Sequence, residues 1–313
     1  MVQGMRPPTF TQLAEYPFAS RYFTRPDGLA LHYVDEGTGP PVVMVHGNPT
    51  WSFFYRRLIA GLAPDFRCLA LDHLGMGFSA RPGADRYGFK LADRVADFTG
   101  WLAGLALSEP VHLVVHDWGG PIGLGWAGTA PEQVASLTIM NTALRQPPGY
   151  RPPWRLGLFR LAPATGDWLA RRLNCFARGT AFFGPARPLS PEAWAGFLAP
   201  YRRPEDRLAL ARFIADIPLA PTHPSFELLR LFDRRFDEVL SSKPLALVWG
   251  LRDFVFDRRI FLDWRGRLPL AETLVLPEAG HYLLEDEPER ILKFLRAFFN
   301  EHARPASAGG GTT

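Results

Sequence analysis

At 313 residues the chain has length for one large domain or two modest ones around a sizeable core. A content of 47% hydrophobic and 21% charged residues is ordinary for a soluble globular protein, and a net charge of +4 carried by scattered arginines leaves no basic block for nucleic acid. No stretch approaches the roughly 18 apolar residues of a membrane span, and MVQGMRPPTFTQ has no apolar leader core. The two cysteines, Cys68 and Cys175, lie far apart without metal-type spacing, which predicts free thiols in a reducing, cytoplasmic setting.

Residues 1–20 read as a surface-wrapping lead-in. Leu29–Val34 and Pro41–Val45 read as strands separated by the turn-rich DEGTG, and the second runs into His46-Gly47-Asn48-Pro49. SFFYRRLIAGLA is an amphipathic helix, Phe66–Leu71 another buried strand, and Lys90–Leu107 a long helix with apolar Leu91, Val95, Phe98 and Leu102 on one face. Val111–Val115 is a run of buried-strand character that meets His116-Asp117-Trp118-Gly119-Gly120 and resumes at helical spacing. Val134–Met140 is the next strand, ending at Asn141. Beyond the proline-rich Gln146–Pro153, the pattern is helical to about Val239. Strand signal returns at Leu245–Trp249 and Glu272–Leu276, and Pro288–His302 closes the chain as a helix.

Alternating strands and helices predict a mostly parallel sheet covered on both faces, with the helical insert as a cap after the sixth strand. The expected organisation is a core of residues 1–144 and 241–303, a cap of 145–240, and a disordered tail of 304–313 that has nothing to bury. A strand turning sharply into a helix needs glycines where backbones approach, which Gly119 and Gly120 supply. The residue at the apex is thrust out beside the positive end of the helix. This is the layout of a nucleophile elbow with aspartate in the serine position of G-x-S-x-G, and Val115 where many hydrolases have glycine. An aspartate there could also merely cap the helix. Asn48, Asp117, Asp253 and His281 all fall at carboxyl ends of strands, where open α/β sheets bind ligands, in the order nucleophile, acid, histidine.

The stretches HGNPTWSFFYR, DHLGMGFSARP, VVHDWGGPIG, WGLRDFVF and EAGHYLLEDEP resemble those of the haloalkane dehalogenase family of the α/β-hydrolase superfamily, over roughly residues 25–300. The resemblance implies an eight-stranded α/β-hydrolase sheet, with Asp117 as nucleophile, His281 as base, Asp253 as its acid, and Asn48 and Trp118 as the halide-binding pair. One branch of that family carries its acid after the sixth strand; this chain has Asn141 there, and an amide cannot balance an imidazolium, so Asp253 is the better acid. Asn48, rather than glutamate, is similar to the third subfamily. A carboxylate can displace a leaving group at an sp³ carbon to form an alkyl ester, and donors in a dry pocket stabilise the departing anion. The Trp118 indole and the Asn48 amide are such donors. His281, oriented by Asp253, would then activate water against the ester, with the Asn48 and Trp118 backbone N–H groups as oxyanion donors.

The insert segments NTALRQP, NCFARGTAFFG, PLSPEAWAGFLAPY and ADIPLAP resemble the lid of the β-lactone decarboxylases of bacterial long-chain olefin biosynthesis, which share the triad and the Asn/Trp pair. The core motifs do not separate the two reactions, since both need the same nucleophile and anion donors. The halide pair and the family resemblance make dehalogenation the leading expectation, and the lid favours the lactone as its alternative. The lactone reading also implies an assembly with pathway enzymes. Epoxide hydrolases use lid tyrosines, for which Tyr150 and Tyr201 are candidates, but their first loop lacks the NPTW pattern. Fluoroacetate dehalogenases carry arginine at the Trp118 position, and an ester substrate would give a mixed anhydride with aspartate. A binding protein of the same fold would be expected to lose a triad member. The aromatic lid (Trp154, Phe159, Trp168, Phe176, Phe182, Phe183, Trp194, Phe197) points to a small apolar substrate, although core packing accounts for most aromatics. No phosphate loop, metal-ligand spacing or dinucleotide fingerprint is present, so no cofactor is expected.

Overall fold

The computed structural model describes residues 13–151 and 163–303; Trp154, Phe159 and the 304–313 tail lie outside them. Eight strands form one sheet in the order β1-β2-β4-β3-β5-β6-β7-β8. They are β1 Arg21–Thr24, β2 Ala30–Glu36, β3 Pro41–Val45, β4 Arg67–Leu71, β5 Val111–His116, β6 Val134–Met140, β7 Leu245–Gly250 and β8 Glu272–Leu276. The β1–β2 and β2–β4 pairings are antiparallel and the others parallel. This is the α/β-hydrolase architecture. The sequence pattern missed β1, whose four residues are too exposed to show an apolar signal.

Successive side chains of a strand point to opposite faces, and β3 shows what that does. Val43 and Val45 enter one apolar layer with Leu69, Leu71 and Leu113, while Val42 and Met44 enter the other with Cys68, Ala70 and Val114. Helices α1 Arg56–Leu62, α2 Leu91–Leu105 and α3 Gly119–Ala127 follow β3, β4 and β5. Between β6 and β7 come α4 Pro163–Arg171, α5 Cys175–Phe183, α6 Pro191–Leu198, α7 Leu208–Ala215 and α8 Pro224–Arg235. Helices α9 Arg258–Arg267, α10 Leu283–Asp286 and α11 Pro288–His302 complete the described chain. No helix is long and apolar enough to cross a membrane among the described residues.

The lead-in does more than wrap the surface. Tyr16 is buried against Trp51 and Phe53, and its hydroxyl shares a 2.6 Å hydrogen bond with Ser52 Oγ. Ser52 N–H in turn donates to Asp72 Oδ1 at 2.7 Å. Asp72, at the carboxyl end of β4, is fully buried and its Oδ2 also accepts from Phe78 N–H at 2.9 Å and faces His32 Nδ1 at 2.8 Å. One carboxylate thereby ties the β3 loop, the β4 loop and β2 together. Burial opposes its charge, but His32, His46 and the Phe78 N–H hold its carboxyl below the usual range.

A depressed folded-state value means the contribution of Asp72 is fully present above its unfolded value near about pH 4, and is lost as pH falls through the lower folded value. Asp72→Asn is expected to cost about 3 kcal/mol at pH 7, because it breaks a buried hydrogen-bonded pair. The deficit should shrink as pH drops below about 4. Denaturant unfolding of both proteins across that range checks this; a pH-independent deficit would count against it.

Candidate active site

The elbow between β5 and α3 builds the site. Asp117 sits at φ +53°, a left-handed conformation costly for a residue with a side chain, as at other functional turns. The turn is pinned by Gly120 N–H donating to Asp117 O at 2.9 Å and by Thr142 Oγ1 donating to the same carbonyl at 2.5 Å. A Cβ on Gly119 would strike the Val45 carbonyl oxygen, and one on Gly47 the Asp117 carboxylate, so neither position tolerates a side chain without a shift.

The two carboxylate oxygens of Asp117 have different surroundings. Oδ1 accepts from Asn48 N–H at 2.7 Å, and Trp118 N–H also donates to the carboxylate. Oδ2 lies 3.8 Å from His281 Nε2. Burial raises the Asp117 carboxyl above its usual range, opposed by His281 and by the two backbone donors. His281 Nδ1 meets Asp253 Oδ2 at 2.8 Å. Burial works against the imidazolium, but Asp253 and then Asp117 hold His281 above the ordinary histidine value. Asp253 Oδ1 accepts from Val255 N–H at 2.7 Å and Phe256 N–H at 3.0 Å, and the Phe256 ring stacks on His281 at 5.8 Å.

Asn141 has a role that sequence reasoning did not give it. Its Nδ2 donates to Asp253 Oδ2 at 2.8 Å and to Gly250 O at 3.1 Å, while its Oδ1 accepts from Gly250 N–H at 2.9 Å. The position that could have held the acid instead holds the acid in place. Its rare positive φ of +32° is invisible in one sequence. His116, directly before Asp117, also went unread. Its Nε2 pairs with the His281 carbonyl at 3.0 Å and its ring lies 4.6 Å from the His281 ring.

Asn48, Asp117, Trp118 and His281 open together into a cavity of about 900 Å³, at the large end of small-molecule sites. Its walls are mostly apolar: Phe176 and Phe183 of α5, Ile214 of α7, Phe226 and Leu229 of α8, and Val255 and Phe256 of the β7 loop. Asp253 is buried behind His281 and does not line it. Of the described lid aromatics named from the sequence, Phe176 and Phe183 line the cavity, whereas Phe197 is buried against Phe53 and Tyr282. Tyr150 reaches the cavity, but its hydroxyl donates to Val255 O at 2.7 Å; Tyr201 is buried outside it. Neither is presented as a ring-protonating acid. Both cysteines are free, Cys68 buried with its thiol pushed up to about 12, and Cys175 exposed at the cavity. Among the described residues, the one grouping of possible metal ligands is Glu272, Glu301 and His302, none of which lines the cavity.

Comparison with known proteins gives the family. A model of the alpha/beta hydrolase fold family matches residues 40–288. The chain is 36% identical to a cis-3-alkyl-4-alkyloxetan-2-one decarboxylase from Xanthomonas campestris over 92% of this chain and 98% of that protein. It is 32% identical to haloalkane dehalogenase 2 from Mycobacterium tuberculosis over 88% and 93% of the two chains. In structure it resembles the haloalkane dehalogenase DatA from Agrobacterium tumefaciens, with a TM-score of 0.81, 24% identity, and coverage of 91% of this chain and 98% of that one. The protein belongs to the α/β-hydrolase family.

On the expectation that Asp253 acts by orienting the His281 imidazole, Asp253→Asn should lower kcat of a hydrolytic turnover by about 10,000-fold with KM little changed. Asn141→Ala, which removes only the support behind that acid, should cost about tenfold. Steady-state kinetics of the two variants test this ranking; an Asn141 variant as impaired as the Asp253 variant would overturn it.

Proposed function

We propose that the protein is a β-lactone decarboxylase, converting a cis-3-alkyl-4-alkyloxetan-2-one to carbon dioxide and a cis-alkene. The observation that carries this reading is the cavity: about 900 Å³, walled by apolar residues from both α5 and α7–α8, around a single buried carboxylate. A small haloalkane would leave much of that space empty, whereas two alkyl arms fill it. The 36% identity to an enzyme named for this substrate supports the reading further. In it, residues 145–240 act as a cap on a core of 1–144 and 241–303, the protein works in the cytoplasm with its thiols reduced, and a complex with neighbouring pathway enzymes is expected.

The chemistry follows from the two oxygens of Asp117. Oδ1 is occupied by the Asn48 N–H and Oδ2 lies beside His281, so Oδ2 is the nucleophile. Oδ2 attacks the ring carbon bonded to the ring oxygen; that C–O bond breaks and its electron pair stays with the liberated carboxylate. Trp118 Nε1–H and the Asn48 amide stabilise this anion, as they would a halide. The carbon–carboxylate bond then breaks, its electron pair becomes the alkene π bond, and the ester C–O pair returns to Asp117 as carbon dioxide leaves. Inversion in the first step and anti departure in the second convert a cis lactone to a cis alkene. No water is consumed. The His281 imidazolium, supported by Asp253, stabilises Oδ2 as it regains its charge.

Haloalkane dehalogenation is the second reading, favoured by the Asn48 and Trp118 donors and by the 32% identity to a haloalkane dehalogenase. Asp117 would displace halide, and neutral His281 would activate water against the ester carbonyl, whose oxygen, Oδ1, already accepts from the Asn48 N–H. The same residues thus serve two reactions that differ in whether water is needed.

Paired assays separate them: alkene from a cis-β-lactone with two alkyl arms, and bromide from a medium-chain 1-bromoalkane. Fast alkene release with slow bromide release is expected; fast bromide release with an inert lactone would sink the decarboxylase reading. Asp117→Ala should abolish both reactions. The hydrolytic step needs neutral His281, whose value is raised, so bromide turnover should climb with pH through a midpoint above about 6.5 while alkene formation does not. His281→Gln should accumulate an alkyl adduct on Asp117 with the bromoalkane, seen by mass spectrometry, yet still release alkene from the lactone at a reduced rate.

A further inference from the structure

The donors of the anion site are held by α7, and α7 is held by a buried arginine. Asn48 Nδ2 donates to Leu210 O of α7 at 3.2 Å, which leaves its second N–H for the cavity. The Trp118 indole packs on Phe213 of the same helix, ring centroids 5.5 Å apart. On Phe213 also lies the Arg94 guanidinium, 3.5 Å from the ring centroid. Arg94 comes from α2 of the core and is 1% exposed.

A guanidinium so deeply buried should be fully paired, and this one is not. Arg94 Nη1 donates to Phe89 O and lies 3.7 Å from Asp216 Oδ2, just past the end of α7. Its Nη2 has no hydrogen-bond partner among the described residues. Asp216 is itself shared, accepting from Leu91 N–H at 2.6 Å and Ser225 Oγ at 2.9 Å, with Lys90 Nζ at 3.6 Å. The Asp216, Asp93 and Asp97 carboxylates act on the Arg94 charge, but one N–H group is left without a hydrogen bond, and Phe213 contacts both the guanidinium and the indole that faces the cavity. An apolar side chain of similar size would pack there at less desolvation cost, so stability alone does not account for the arginine.

We propose that Arg94 is a positioning residue of the anion site: through Phe213 and Asp216 it sets α7, and with it the Trp118 and Asn48 donors, while its charge backs the anion they bind. The proposal rests on the reading that these donors hold a leaving anion, which both reactions above share. It identifies the α2–α7 contact as the element that tunes leaving-group stabilisation from outside the cavity.

Bromide is the probe, because its binding does not depend on which substrate is correct. Calorimetric titration is expected to give a bromide dissociation constant about tenfold weaker in Arg94→Met than in the wild type, with most of the loss regained in Arg94→Lys. The kcat of the olefin or halide reaction should fall in step while KM stays near its wild-type value. Phe213→Leu, which leaves the Arg94–Asp216 contact intact, should weaken bromide similarly and decides the matter if Arg94→Met does not fold. In a Trp118→Phe background, Arg94→Met should cause little further loss, because the two act through one stack. Unchanged bromide affinity in Arg94→Met, a loss fully additive with Trp118→Phe, or a lysine variant as weak as the methionine variant would each overturn the proposal. Wild-type bromide affinity in Trp118→Phe would instead refute the anion-site reading itself, and the proposal with it.

Discussion

The constraint on which the rest depends is a buried carboxylate at a strained backbone position. Asp117 sits at φ +53° with its side chain away from bulk water, and both features cost free energy. The surrounding fold offsets them. Thr142 and Gly120 brace the Asp117 carbonyl, the Asn48 N–H meets Oδ1 while the Trp118 N–H also donates to the carboxylate, and glycine at 47 and 119 lets β3 and the elbow approach. The parallel β3–β5 pairing brings the Asn48 N–H within reach, so the sheet register is part of the site. Oδ2, the oxygen proposed to react, lies 3.8 Å from His281 Nε2 on the cavity wall.

From that point the site extends in two directions that serve different purposes. Behind the carboxylate, His281, Asp253 and Asn141 form a buried chain whose last member anchors to the Gly250 backbone at the end of β7. This side governs protonation and requires well-satisfied polar groups. In front, Asn48 and Trp118 face the cavity, and their orientation depends on α7, a helix of the insert. In the proposed reading the core supplies the nucleophile and both anion donors, whereas helices of the insert contact those donors and add Phe176, Phe183, Ile214, Phe226 and Leu229 to the cavity walls.

Much of the fold was legible in the sequence. The strands Pro41–Val45, Val134–Met140 and Glu272–Leu276 and the helix Pro288–His302 occur with the bounds their patterns suggested, because long apolar runs closed by Gly, Pro or polar turns carry strong periodic signal. The first strand escaped notice, since an exposed edge strand of four residues has no buried face to advertise. Tyr16 escaped as well, because one aromatic in a loop gives no periodicity, yet it is buried against the NPTW loop. Asn48, Asp117, Trp118, Asp253 and His281 could be picked out because each lies in a short motif at the carboxyl end of a strand. The structure gathers Asn48, Asp117, Trp118 and His281 on one cavity and Asp253 directly behind His281.

Local order along the chain, by itself, determined the alternating sheet, the elbow and the candidate reactive groups, since these depend on residue type and short spacing. Tertiary structure decided everything that depends on distant approach. Asn141 supports an acid 112 positions away, Leu210 orients an amide 162 positions away, and Arg94 lies on a ring of the insert. Such contacts leave no periodic trace in a single sequence. They arise from packing, where a hydrogen bond or a stacked ring is fixed by three-dimensional fit and not by neighbours in the chain.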